Sequence, residues 1–372
     1  MKFDQLITIL REKQIKVSLN DDKLKIAAKE GALTPNIIAS LKEHKAALIQ
    51  QLKQLKEQPE NVIPLATEKS FYSATATQRR LYFLWLLDPQ STGYNMTFRL
   101  PLEKEFSIRK IEEALQILVE RHESLRTTFH TEGENVVQKI NDEVTVKLED
   151  YPVGTSSNRF VRSFNLNEDE LIRAAVLTEG DTPKELIIDM HHIISDGISG
   201  GVLLQELQTL MKGDELPSLT CRYRDYSEWL NSDEQQQRIA TQEAYWVKQY
   251  PELPLELNFP LDFDRPLKQT YKGASTKFEV SGDVYAQIKQ LSRDSDTTLF
   301  MSVLSLVSIW IAKLTGSEDV VIGTPVSGRI RKETMSTVGL FINTLAIRTA
   351  PSGKKQFKDF LPEIKEKTVA VS

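Results

Sequence analysis

The sequence predicts a mixed helix-and-sheet protein of the α/β or α+β class, and three observations carry that expectation. Stretches with apolar residues at helical spacing are interspersed throughout with strand-length apolar or alternating runs. The length of 372 residues suggests two or three structural units. The composition, 40% hydrophobic and 27% charged, is that of an ordinary soluble globular chain. A formal net charge of −5 gives no electrostatic reason to expect nucleic acid or an anionic membrane as partner. The single cysteine, Cys221, excludes an intrachain disulfide and a cysteine-based zinc cage, and fits a reducing cytoplasm.

The first 52 residues read as a unit of their own. FDQLITILREK places Phe3, Leu6, Ile7 and Leu10 at helical spacing, and IKVSLNDDKLKIAA alternates around Asn20-Asp21-Asp22 as a short β-hairpin. In LTPNIIASLKEHKAALIQQL, Thr34 is a candidate cap and Pro35 suits a first helical turn. Ile37, Ile38, Leu41, Leu48 and Leu52 form its apolar stripe, with His44 on the polar side as a surface residue. The N-terminus lacks a continuous apolar h-region, so it does not read as a signal peptide. Residues 53–70, with two prolines and mixed charge, read as a linker.

A second region begins near Phe71. ATQRRLYFLWLL and SIRKIEEALQILVERHESLR read as helices, the latter capped by Ser107. LRTTFH and VVQKI flank Glu132-Gly133-Glu134-Asn135 as a hairpin; VTVKLEDY, LIRAAVL and ELIIDM read as strands, and ISGGVLLQELQTLM as a helix. Beyond Asp233 come a polar helix, a proline-rich crossing, the strand KFEVSG and the helix LFMSVLSLVSIWIAKL. The last is too short and too serine-rich to span a bilayer and reads as a buried core helix. VVIGTPVSGR and FINTLAIRTA read as strands around a loop.

ELIIDMHHIISDGISGG, Glu185 to Gly201, carries the chemistry. Its apolar run ends at His191 and His192, whose side chains should point to opposite faces of a strand. Adjacent histidines on a strand lack the same-face spacing of zinc ligands, so metal is not expected. GISGG matches G-x-S-x-G with Ser199 as would-be nucleophile, but no histidine follows His192, as that architecture requires. The bland reading of Ser199 is a helix cap or packing residue. Two readings of the histidines stay open on the residues alone: a general base of near-neutral pKa, or a satisfied structural turn.

HHIISDG, His191 to Gly197, is also the HHxxxDG signature of non-ribosomal peptide synthetase condensation domains. SATATQRRLYFL, RHESLRTTF, YRDYSEW, GTPVSGR and VGLFINTLAIR resemble further motifs of that family, in the family's order. The resemblance runs from Phe71 to the end. It implies a two-lobed, chloramphenicol-acetyltransferase-like fold, with lobes at 71–245 and 246–372 and a tunnel between them. It implies that the α-amine of an aminoacyl thioester on a downstream carrier protein attacks an acyl or peptidyl thioester on an upstream one. No cofactor is expected in the chain itself, because the phosphopantetheine arms belong to the carriers. His192 is implied as the active-site residue, positioning the amine and moving its proton, with the Gly197 N–H as a candidate oxyanion donor. His191 is expected to pack inward. Asp196 is expected to pair structurally with Arg329, with Arg126 as the runner-up partner. Trp246 and Ser199 are weaker candidates for the tunnel lining. His122 and Arg126 are expected to tie elements of the first lobe, and His130 to lie at the surface.

The two-aspartate pattern of heterocyclisation relatives is absent, and RHESLRTTF is clearer than in epimerisation relatives. It also looks like the class taking an L-configured donor. Residues 1–52 resemble TubC-type docking domains. That implies an acidic C-terminal tail of an upstream synthetase adding to the hairpin near Lys16, Lys23 and Lys25. The resemblance further implies that the second lobe continues past Ser372 and that the protein is not first in its assembly line. Three alternatives stand beside amide formation: a docking fragment without turnover, an epimerisation-type enzyme, and a stand-alone acyltransferase of the same fold.

Overall fold

The computed structural model describes residues 6, 10, 15–20, 23–28, 33–45, 47–49, 62–103, 106–267, 270 and 273–371. The chain divides into two compact units, Met1–Pro64 and Leu65–Ser372.

In the first unit, strands β1 (Lys16–Asn20) and β2 (Lys23–Ala27) form the expected antiparallel hairpin, with Asn20 opposite Lys23. Helix α1 (Pro35–Glu43) starts on Pro35; Thr34 is extended at the cap position but makes no side-chain capping bond. Ile37, Leu41 and Leu48 pack with Leu6, Leu10 and Ile15 into a small core. Ile38 departs from the expected stripe and is 40% exposed. It sits about 100° around the helix from Ile37, past the edge of the buried face. His44 is half-buried, 3.9 Å from Glu43, rather than a solvated surface residue. Leu52 lies outside the described residues.

The second unit opens with β3 (Tyr72–Ser73) and α2 (Ala76–Leu87), whose start is set by a Thr75–Gln78 capping box. Strand β4 (Asn95–Pro101) and helix α3 (Ile108–Arg121) follow; Ser107 caps α3, and Ile111, Leu115, Leu118 and Val119 form its buried face. Strands β5 (Thr127–Glu132) and β6 (Asn135–Ile140) make the expected hairpin and, with β3, a three-stranded sheet. Strands β7 (Leu148–Pro152), β8 (Ile172–Glu179) and β9 (Thr182–His191) join β4 in a four-stranded sheet of order β4-β9-β8-β7, with β7 and β8 parallel. Central strand β9 is buried on both faces, which explains its unbroken apolar run. Helix α4 (Gly197–Lys212) follows it and packs on α3.

Helices α5 (Tyr223–Leu230), α6 (Asp233–Gln249), α7 (Gly282–Asp294) and α8 (Leu299–Thr315) come next. Strands β10 (Val320–Val326) and β11 (Asn343–Thr349) pair antiparallel, and α9 (Phe357–Ala370) ends the described chain. Leu304, Ile347, Phe360 and Ile364 form the core of this last part.

Three further sequence expectations give way. The stretch over 53–70 is not all linker: the Ala66 N–H donates to Asp225 Oδ1 at 2.8 Å, and Lys69 pairs with Glu228. KFEVSG is not a strand; Phe278 is 84% exposed, and an alternating pattern without a neighbouring strand leaves its backbone ladder unmade. Helix α8 is not wholly buried. Its serines 302, 305 and 308 face inward, while Phe300, Val303, Leu306 and Trp310 face out. Serine hydroxyls returning to helix carbonyls let that polar side close on the core, as Ser305 does to Met301 O at 2.8 Å.

Candidate active site

Strand β9 delivers His191 and the chain then turns through a short 3₁₀ segment, His192–Ile194, before Asp196 caps α4. Asp196 Oδ1 accepts from the Ser199 N–H at 2.8 Å, the side-chain cap that starts the helix. The His192 N–H donates to Tyr94 O at 2.8 Å, which pins the turn to the chain entering β4. His192 Nδ1 lies 2.7 Å from Ser195 O. A carbonyl only accepts, so Nδ1 carries the hydrogen and the neutral ring presents Nε2 with a free lone pair. The half-buried His192 lines a cavity of about 270 Å³ together with Leu81, Leu84, Tyr94, Leu340 and Ile342, with Arg80 and Asn343 among its polar members. Across that cavity Arg80 Nη2 donates to Asn343 Oδ1 at 2.9 Å. Gly197, the first residue of α4, is exposed, and its N–H belongs to the first helical turn.

His191 points the other way and is buried. Its Nδ1 accepts from the Ile193 N–H at 3.1 Å, and its ring meets Phe164 edge-on. Burial, with the neighbouring His192 adding to it, pushes the His191 pKa down to about 3, so the ring is neutral at neutral pH.

Asp196 is also the centre of a buried polar clasp. Arg329 Nη2 donates to its Oδ1 at 3.2 Å, with both side chains almost wholly buried. The Phe341 N–H donates to its Oδ2 at 3.1 Å. Arg329 donates further to the Thr337 carbonyl at 2.8 Å, to the Thr334 carbonyl and to Ser199 Oγ, while its guanidinium stacks on the Phe341 ring at 4.0 Å. A buried ion pair whose charges are also hydrogen-bonded has its desolvation offset.

Each residue from Thr337 to Phe341 is tied to a residue distant in sequence. Thr337 Oγ1 donates to Cys221 O at 2.8 Å, Ser124 Oγ donates to Val338 O at 2.8 Å, and Ser199 bonds both backbone groups of Gly339. Tyr223 OH donates to Leu340 O at 2.7 Å, and Phe341 reaches Asp196. A Cβ on Gly339 would stand 1.9 Å from the Tyr223 ring. Gly328 has φ +63° and leaves the Phe341 carbonyl room that a Cβ would fill at 2.0 Å.

Other candidates lie elsewhere. Arg126 is not a partner of Asp196: it donates to Asn141 O at 2.7 Å and faces Glu123 at 4.0 Å, held there by the 3₁₀ segment Glu123–Arg126. Ser199 does not line the cavity, because its hydroxyl is consumed inside the clasp. Trp246 lies near the end of α6 and lines a different, small cavity with Tyr250 and Arg348. His122 is buried 2.6 Å from Glu206, tying the end of α3 to α4. His130 is half-buried rather than a surface residue, bonded to Thr128 Oγ1 and edge-on to Phe71. Lys25 is exposed on β2, while the side chains of Lys16 and Lys23 fall outside the described atoms. Sequence reasoning missed the Ser195 carbonyl, Tyr223 and Gly339. Tyr223 and Gly339 stand inside motifs already singled out, but nothing local joins them. Among the described residues no group of three His, Cys, Asp or Glu could hold a metal ion.

Comparison with known proteins adds the family context. A family model described as Condensation domain matches residues 68–372, and one described as TubC N-terminal docking domain matches residues 4–54. Bacitracin synthase 2 of Bacillus licheniformis is 34% identical over 377 residues, covering 99% of this chain and 14% of that protein. Bacitracin synthase 3 of the same organism is 38% identical over 321 residues, covering 85% and 5%. The chain thus spans a small part of the curated relatives it matches. Among solved structures, the X-domain from teicoplanin biosynthesis aligns with TM-score 0.76 at 21% identity, covering 83% of this chain and 72% of that one. The EpoB cyclization-docking bidomain from Sorangium cellulosum aligns with TM-score 0.71 at 18% identity, covering 99% and 76%. These likenesses show a shared fold.

Proposed function

This chain belongs to the condensation-domain family, with a TubC-type docking domain ahead of it, and from that premise we propose that it forms an amide bond between two carrier-bound substrates. The fold is the chloramphenicol-acetyltransferase-like condensation fold. The observation that carries the reading is His192, which lines the cavity and is fixed through Nδ1, leaving Nε2 as the nitrogen for chemistry.

In this reading the α-amine of the acceptor attacks the thioester carbonyl carbon of the donor. The C–N bond forms, the C–S bond breaks, and the donor arm leaves as its thiol. His192 Nε2 holds the amine in line and takes the proton it sheds, returning it to the leaving sulfur. The Gly197 N–H is the candidate donor to the developing oxyanion. Asp196 and Arg329 act on the loop, not on the substrate. The phosphopantetheine arms come with the donor and acceptor carrier proteins, so the chain needs no cofactor of its own.

The first unit is read as the receiver of an upstream synthetase's acidic C-terminal tail, added to the β1–β2 hairpin with Lys16, Lys23 and Lys25 as its charge complement. Titration with that tail should show binding that is lost when residues 1–52 are removed; binding that survives would refute this part. A reducing cytoplasmic setting suits the lone Cys221, whose thiol burial pushes up to about 12. Among the described residues no single helix is long and apolar enough to cross a membrane.

The test is amide product, read by mass spectrometry, from loaded donor and acceptor carriers. His192→Ala should lower the rate by about 10²–10⁴-fold without loss of fold. Unchanged product in the variant would overturn the assigned role.

A further inference from the structure

The G-x-S-x-G pattern at Gly197, Ser199 and Gly201 is left over once Ser199 is removed from the cavity lining. Its serine is fully enclosed. The hydroxyl donates to Gly339 O at 2.8 Å and accepts from the Gly339 N–H at 3.1 Å and from Arg329 Nη2 at 2.7 Å. One donor and two acceptor positions are all a hydroxyl has, and all three are used. That leaves no proton for a base and no lone pair for a nucleophilic role. The neighbouring Gly200 fixes the same turn from the other side, since a Cβ there would stand 2.3 Å from the Phe98 ring on β4.

The residues that follow Gly339 form a wall of the cavity that His192 also lines. Leu340, Ile342, Asn343 and Thr344 line the histidine's cavity. Ser199 therefore joins the helix that begins beside the histidine loop to the backbone from which that wall departs. Ser199 Oγ alone holds both the N–H and the C=O of Gly339 among the described residues.

We propose that Ser199 is a positioning residue that sets the distance between His192 and the Leu340–Thr344 wall, and so the alignment of amine and thioester. This rests on the amide-forming reading of the same site. Ser199→Ala removes the link, whereas Ser199→Thr keeps the hydroxyl.

On loaded carriers, Ser199→Ala should lower kcat about 10–100-fold, as misplacement of reacting groups does, while KM for either carrier stays within about twofold. Ser199→Thr should recover most of the rate. Amide hydrogen exchange at Gly339 should quicken about tenfold in Ser199→Ala, with the Thr337 amide, which donates to Thr334 O at 3.2 Å, unchanged. A Ser199→Ala protein that is only less heat-stable, with kcat retained below its melting range, would overturn the proposal. So would unchanged exchange at Gly339. If the unsubstituted chain yields no amide, the amide-forming reading fails by itself, and the exchange at Gly339 still decides whether Ser199 holds the wall.

Discussion

The clasp around Asp196 and the crossing between residues 251 and 281 belong to the same unit, and both are largely irregular backbone. They are held in opposite ways. From Thr337 to Phe341 each residue is hydrogen-bonded to a buried residue distant in sequence. In the crossing, Leu253 and Phe263 are 90% and 88% exposed, although LPLELNFPLDF alternates apolar and polar as a strand would. A loop is ordered by the partners its polar groups find, not by its own pattern.

The largest way to break this contrast is Asp196→Ala. It strips acceptors from Arg329, Phe341 and Ser199 at once and leaves a buried guanidinium without its counter-charge. Urea denaturation should show a loss of about 3–5 kcal/mol. Next comes Gly339→Ala, which drives a methyl into the Tyr223 ring and should cost about 1–3 kcal/mol by the same measurement.

The buried histidine supplies a pH arm. The His191 pKa is depressed in the fold to about 3 from an ordinary 6.5. Its neutral form is thus favoured by folding, so the associated stability is full above about pH 6.5 and is lost as pH falls toward 3. His191→Gln should flatten the fall in denaturation midpoint over that range; an unaltered slope would show that His191 is not the group responsible. The smallest effect belongs to the crossing: Phe263→Ser and Phe278→Ser should each change stability by no more than about 0.5 kcal/mol.

How much was legible follows the same division. Strand alternation predicted different environments for His191 and His192, and they have them, but only His191 stands on β9; His192 is placed by the 3₁₀ turn that follows. The helix capped by Ser107 was read from its capping residue, whereas the Thr75–Gln78 capping box was found only in the structure. The Asp196–Arg329 contact came from motif resemblance, since nothing in composition links positions so far apart. Trp246, a weak match for the tunnel lining, instead lines another cavity and stacks on Tyr250, and Arg126, the runner-up partner of Asp196, is taken by Asn141 and Glu123. The Ser195 carbonyl was invisible because every residue has one; only the turn's geometry singles it out. Strand KFEVSG failed because a strand is a pairwise object, and its pattern names no partner.

The most direct test of the account is the protonation pattern of the His192 ring. Nitrogen-15 NMR of the neutral imidazole should show the Nδ1–H tautomer, with Nδ1 donating to Ser195 O and Nε2 unprotonated. Finding the hydrogen on Nε2 instead would contradict the reading of His192 as the group that receives the amine's proton.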